Sequence, residues 1–198
     1  MIILTITIIA VMAKERSKRM KAVLMSIQPK WCKLIVRGEK TIEIRKSKPK
    51  LETPFKVYIY CTKNYSLGEY YTSQDLFAMP AQGKVIGEFV CDKIIELAPI
   101  NRAEEGMEKQ ACLNREQIVN YLRRKGFGWH ISNLKIYDKP KELSEFFVYC
   151  DRCDKRPIAC KFAYEESNEN GYYSECMCDF KRPIERPPQS WCYVESEE

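Results

Sequence analysis

Histidine is all but absent from this chain: its 198 residues contain one, His130. Any catalytic imidazole in the protein is therefore that residue. Long apolar runs are missing too. The most apolar stretch, residues 1–12, falls well short of the ~20 residues that span a bilayer, and it lacks both a basic segment before it and a small-residue cleavage site after it. It reads as neither anchor nor signal peptide, and no membrane partner is expected. Acidic residues are scarce at the start: residues 1–50 carry thirteen Lys and Arg against only Glu15, Glu39 and Glu43. No alternating strand–helix rhythm appears, which argues against a doubly wound parallel sheet.

The basic excess is local. The whole chain sums to +6, the first fifty residues to +10, and the remainder therefore to −4. Such asymmetry suits a face that attracts a polyanion, with nucleic acid the usual case, or else a solvated lysine-rich surface. Part of the excess sits in Lys14, Arg16, Lys18 and Arg19. Residues 1–20 are read as a disordered leader from an upstream translation start, with Met20 the natural one; the rival is a short interfacial helix or an added edge strand.

Ten cysteines without a secretory signal indicate a reducing, cytoplasmic setting and point to metal or core roles before disulfides. Cys32, Cys61 and Cys91 fall within apolar patterns, where a thiol packs as a small hydrophobe. The last quarter differs. Cys150 and Cys153 form a C-x-x-C knuckle, and Cys176 with Cys178 offers a second, less regular pair for a tetrahedral structural zinc, with Cys160 competing for a place. The polar run 165–171 between them has the composition of a hairpin tip. Free thiols in an ordinary loop are the alternative.

The order of elements is legible. Residues 21–27 read as a strand, and 29–36 as a helix with Pro29 at its start and Gly38 as its stop. Residues 39–46 and 56–62 read as strands, 83–97 as one long strand or half a hairpin, and 114–125 as a helix capped by Asn114 and ended by Gly126. Residues 129–137 and the end of 185–194 are again strand-like. Strands outnumber helices, so the expected class is α+β: a small mixed or half-open barrel with two or three short helices, over residues 21–149. Residues 150–182 read as a cysteine-rich, zinc-ribbon-like insertion, and 183–198 as the final strand and tail.

One strand carries the functional signal. In Lys40-Thr41-Ile42-Glu43-Ile44-Arg45 charged residues alternate with apolar ones, so Ile42 and Ile44 face a core while Lys40, Glu43 and Arg45 cluster. Lys40 and Arg45 can neutralise phosphates, and Trp31 or Trp129 can offer a stacking face to an unpaired base. The plainer reading has Glu43 merely neutralising its neighbours and each tryptophan serving the core, as favoured for Trp191. A Cys32–His130 dyad is a further enzymatic pairing, set against a structural histidine.

The run 21–63, with Ser26-Ile27-Gln28-Pro29, the helix ending in Val36-Arg37-Gly38, the Lys40-x-x-Glu43-x-Arg45 strand and Tyr58-Ile59-Tyr60, resembles the ASCH (activating signal cointegrator homology) domain. Gly83 to Phe89, Gly128 to Ile131, Ile136 to Pro140 and Pro187 to Val194 extend the resemblance. It implies a PUA-like barrel with a cleft against the first helix that binds nucleic acid, RNA more than DNA. The cleft residues it implies are Gln28, Trp31, Lys33, Lys40, Glu43 and Arg45, with Trp129 and His130 across from them. Some relatives are ribonucleases or amidohydrolases on acylated cytidine, the latter with a lysine and, three residues on, a threonine. Here Lys40 matches the lysine but Glu43 stands at the threonine position, leaving Glu43 as a general base held by Lys40 if the protein is an enzyme.

Overall fold

The computed structural model describes residues 21–63, 81–97, 106–149, 163–168, 171–176 and 181–196. Its elements, in order, are β1 (Lys21–Ile27), α1 (Pro29–Val36), β2 (Ile42–Arg45), β3 (Phe55–Cys61), β4 (Lys84–Cys91), β5 (Ile94–Leu97), α2 (Met107–Ala111), α3 (Arg115–Leu122), β6 (Gly126–His130), β7 (Ser132–Lys141), a 3-10 turn (Leu143–Glu145), β8 (Phe147–Tyr149), β9 (Ala163–Asn168), β10 (Gly171–Cys176), β11 (Lys181–Pro183) and β12 (Trp191–Glu195). The α+β class agrees with the sequence. Among the described residues no helix is long and apolar enough to cross a membrane.

Two sheets take the place of the expected barrel. One has the order β12-β1-β3-β4-β7 and the other β2-β6-β5; β8 pairs with β11, and β9 with β10, as separate two-stranded ladders. No closed barrel forms among the described residues, because the outer strands β12 and β7 do not pair with each other. The stretch 83–97 is not one strand. It breaks at Asp92-Lys93, so that β4 stays in the large sheet while β5 crosses to the small one. Ile131 makes the same break between β6 and β7, and its N–H donates to Thr41 O at 2.8 Å while the His130 N–H donates to Lys93 O at 3.0 Å. Two chain crossings thus tie the sheets together.

The core lies between them. Met25, Ile27, Ile59, Ile86 and Phe89 of the large sheet pack with Phe127 and Trp129 of the small one, closed at one end by Cys32 and Ile35 of α1. The reverse face of the large sheet is covered too: Leu24, Tyr58 and Val85 meet Leu143, Phe146 and Ile184. Burial on both faces explains why β1 reads as a nearly continuous apolar run. The outer face of the small sheet gives Ile42, Ile44 and Leu97 to Met107, Ala111, Ile118 and Leu122 of α2 and α3.

The predicted helix boundaries hold with one instructive exception. Pro29 opens α1, and Gly38, at φ 71°, closes it with its N–H on Ile35 O at 2.9 Å, a left-handed position that favours glycine. Asn114 caps α3 through a reciprocal pair with Gln117. This helix, however, ends at Leu122 rather than running to Gly126. Gly126 serves another purpose: a Cβ there would press into Leu122 and come within 2.9 Å of the Arg45 carbonyl, so its absence lets β6 lie close against β2. Residues 165–168 and 171 of the polar run lie on the paired antiparallel strands β9 and β10.

Candidate functional site

Strand β2 is four residues long, and all four are buried. Its alternation separates two surfaces. Ile42 and Ile44 anchor the strand in the cluster with α2 and α3, while Glu43 and Arg45 join Lys40 in the floor of a cleft. Register against β6 sets Glu43 opposite Trp129 and Arg45 opposite Phe127, so the charged floor rests on the aromatic core.

The three charges form a bridged set. The Glu43 carboxylate lies 3.0 Å from Arg45 Nη2 through Oε1 and 3.3 Å from Lys40 Nζ through Oε2. Each cation has further partners. Lys40 Nζ donates to Ala111 O at 2.6 Å and sits 5.2 Å from the centre of the Trp31 ring. Arg45 Nη2 donates to Ser26 O at 2.7 Å and Nη1 to Ser190 Oγ at 3.4 Å, while Ser26 Oγ donates to Pro188 O at 2.6 Å. With relative exposures of 2% for Lys40 and 6% for Glu43 and Arg45, the set is largely withdrawn from solvent. Two cations and one anion leave an uncompensated positive charge there. Two atoms of the set, Glu43 Oε2 and Arg45 Nε, have no hydrogen-bond partner among the described residues.

The cleft above this floor has a volume of about 570 Å³. Ser26, Gln28, Lys30, Trp31 and Thr62 line it from β1, α1 and the end of β3; Leu113, Gln117, Asn120 and Tyr121 line it from α3 and its approach, and Gln189 from the segment before β12. Gln28 precedes α1 without using its side chain as a cap, and Lys30 Nζ lies 4.5 Å over the Trp31 ring.

Of the residues expected from sequence, the cleft brings together Gln28, Trp31, Lys40, Glu43 and Arg45. The others lie elsewhere. Lys33 is on α1 outside the cleft lining. Trp129 has no exposed surface and packs edge-on against Phe55 in the core, so it offers no stacking face. His130 pairs through Nδ1 with Asp92 Oδ1 at 2.6 Å and does not line the cleft; its hydrogen bond holds the Asp92 carboxyl below the usual carboxylate range. Trp191, expected in the core, packs against it beside Trp129 while remaining partly buried, and its Nε1 donates to Ser47 Oγ at 3.1 Å.

The Cys32–His130 pairing is not formed. Cys32 is buried and donates to Ile27 O at 3.6 Å, and its thiol is pushed well up, first by its hydrogen bond with Cys61 and then by burial. A protonated thiol beneath α1 is not a nucleophile. Of the zinc set, Cys150, Cys153, Cys178 and the competing Cys160 lie outside the described residues, as does the Cys176 side chain. Among the described residues no three His, Cys, Asp or Glu side chains gather as a metal site.

Sequence reasoning missed the α3 wall and the Ala111 carbonyl. The wall had a partial signal: Gln117 and Asn120 are polar positions of a helix whose buried residues are Ile118 and Leu122, whereas Tyr121, which the sequence places on the apolar face with those two, is exposed and lines the cleft. The carbonyl had none, since α2 is a five-residue helix between two left-handed residues, Gly106 and Cys112.

The sequence profile of the ASCH domain matches residues 25–157. Three solved structures share the fold. One, a crystal structure of an ASCH protein from Zymomonas mobilis, is 18% identical, with a TM-score of 0.52 over 87% of this chain and 86% of that one. A tyrosine-to-phenylalanine variant of the Zymomonas mobilis protein gives 17% identity and 0.52 over 87% and 88% of the two chains. A serine-to-alanine variant gives 17% and 0.53 over 87% and 87%. A comparison with curated proteins returned no match.

The bridged set makes a stability prediction. Glu43→Ala leaves two buried cations facing each other and is expected to cost about 3–5 kcal/mol in urea unfolding. Glu43→Gln keeps the shape but removes the charge and should cost nearly as much; a clearly smaller loss would mean that packing, not charge, governs this position.

Proposed function

Because the chain belongs to the ASCH domain family, we propose that its cleft binds nucleic acid, RNA or another single strand, seating one nucleotide between Trp31 and the charged floor. The observation that carries this reading is the uncompensated positive charge of Lys40, Glu43 and Arg45 at the base of an open cleft with an aromatic wall. Buried cations with too few carboxylates favour an anionic ligand, and Arg45 or Lys30 can meet a phosphate. Trp31 is half-buried, so a base can stack on it once the exposed Lys30 moves aside. The Glu43 carboxylate and the Gln28 amide, both lining the cleft, supply polar groups for a base edge. The free thiols Cys32, Cys61, Cys91, Cys112 and Cys192 are consistent with a reducing, cytoplasmic setting for such a module.

Fluorescence anisotropy with short single-stranded RNA and DNA, across a salt series, tests the reading. Trp31→Ala should weaken binding about tenfold, the worth of one stacked base, without changing the salt slope. No binding by the native protein at low salt, or full binding by the variant, removes the proposal.

A second reading rests on the Glu43 carboxylate itself. Glu43 lines the cleft, and its Oε2 is buried, 3.3 Å from Lys40 Nζ and without a hydrogen bond among the described residues; a water that reaches it can give up a proton there while attacking a nucleoside amide or an RNA phosphodiester, with Lys40 holding the carboxylate in place. The expected result is that purified protein cleaves acylated cytidine or labelled RNA and that Glu43→Gln lowers the rate about 100-fold or more. Activity that survives the substitution takes Glu43 out of the chemistry.

We further propose that Cys150, Cys153, Cys176 and Cys178 hold a structural zinc, with the β9–β10 hairpin between the two pairs. Elemental analysis should find one zinc per chain, lost on Cys153→Ser. A metal-free protein whose unfolding a chelator leaves unchanged counts against the site.

A further inference from the structure

The segment between β2 and β3 opens with Lys46-Ser47-Lys48-Pro49-Lys50, three lysines in five residues with no acidic residue before Glu52. All three are exposed, as solvated lysines usually are. What distinguishes these is how the loop is held. Ser47 Oγ accepts from Trp191 Nε1 at 3.1 Å, and the Lys50 N–H donates to Tyr193 Oη at 2.6 Å. Trp191 and Tyr193 are adjacent in space on β12, their ring centres 5.5 Å apart and nearly perpendicular. Pro49 between them is buried. The loop is thus pinned to a rigid strand on both sides of its proline.

The lysine heads are placed as well. Lys46 Nζ lies 5.1 Å over the ring of Tyr121, which is itself a wall of the cleft, and Lys48 Nζ lies 5.2 Å over Phe127, the residue paired with Arg45. The ridge therefore begins where the cleft floor ends: Lys46 follows Arg45 directly, and Lys48 and Lys50 lead away from it toward β12. Holding three like charges together on a pinned loop costs repulsion that a polyanion relieves.

From this placement we propose that Lys46, Lys48 and Lys50 form a phosphate track for a single-stranded polynucleotide that continues out of the cleft, so that the ligand is a nucleotide within a strand rather than a free nucleoside. The inference rests on the nucleic-acid reading of the cleft and deepens it. Lysines along such a track neutralise successive phosphates without reading sequence, and the binding term they add is salt-dependent.

The triple variant Lys46→Ala/Lys48→Ala/Lys50→Ala separates this track from the cleft. Its substitutions are exposed, and an unchanged urea midpoint checks the fold. Anisotropy with a single-stranded oligonucleotide across a salt series should show binding weakened about tenfold or more at low salt and a log–log slope flatter by about 2, three lysines at about 0.7 each. Trp31→Ala, by contrast, should lower affinity while leaving the slope alone. A triple variant with native slope overturns the track while the cleft reading stands. Failure of the native protein to bind any strand removes both. Loss of binding to anionic lipid vesicles, with oligonucleotide binding unchanged, would assign the ridge to a membrane surface and overturn the proposal.

Discussion

One carboxylate bridging two cations is the interaction on which the site depends. Glu43 holds Lys40 and Arg45, and through them five parts of the chain meet: the end of β1 at Ser26, α1 at Trp31, β2 itself, the last residue of α2 at Ala111, and the approach to β12 at Ser190. At an effective dielectric of about 20, each charge contact is worth roughly 4–5 kcal/mol of attraction. Withdrawing each ion from water costs several kcal/mol in return. The net contribution to folding is therefore small. An apolar trio in the same places would hold the elements as well, and what the ions add is a fixed geometry and a residual positive charge.

That geometry needs β2 to be buried on both sides. A strand with one wet face would leave Lys40 and Arg45 to water, where their charges are screened and their side chains mobile. Here Ile42 and Ile44 are fastened under α2 and α3, β6 pairs along the strand's edge, and Glu43 and Arg45 lie in the floor of the cleft. Gly126 allows the close approach of β6, and Trp129, paired with Glu43, fills the core beside it. Trp129 thus flanks the site on the core side. Its periodicity in the sequence could not distinguish that position from one facing the cleft, because a strand residue shows its alternation but not which face its sheet will cover.

The same distinction runs through the rest of the chain. The β1–α1–β2 order, the Gly38 stop and the Asn114 cap were legible, because each is decided by local chemistry: a proline at a first turn, a residue at positive φ, a side chain accepting a backbone N–H. The sheet partition was not. Residues 83–97 keep one apolar pattern across Asp92-Lys93, and only the pairing of β5 with β6 reveals that the strand has changed sheets. The α3 end was misjudged for a related reason, since Gly126 makes room for the Leu122 side chain and for the Arg45 carbonyl across the sheet and does not itself end the helix. The charged cluster was legible as three residues of one strand. Its carbonyl partners Ala111 and Ser26 were not, because a backbone acceptor leaves no trace in a side-chain pattern.

The position of Lys40 bears on which chemistry the cleft favours. A lysine that attacks or abstracts a proton needs a free lone pair on Nζ and an open approach to it. Here Nζ donates to the Ala111 carbonyl, lies beside Glu43 and sits over Trp31, so it is held on three sides. To act as a base it would first have to leave the contact that ties α2 to the floor. Glu43 is differently disposed. Its Oε1 is engaged with Arg45 and its Oε2 lies 3.3 Å from Lys40 Nζ, buried and without a hydrogen bond within the described residues, at the floor of a cleft of about 570 Å³. A carboxylate in that position can accept a proton or a hydrogen bond from a group that reaches it. Binding and water activation draw on the same oxygen, so what separates a binding module from a hydrolase here is whether a water fits between Glu43 and the ligand, not a different set of residues.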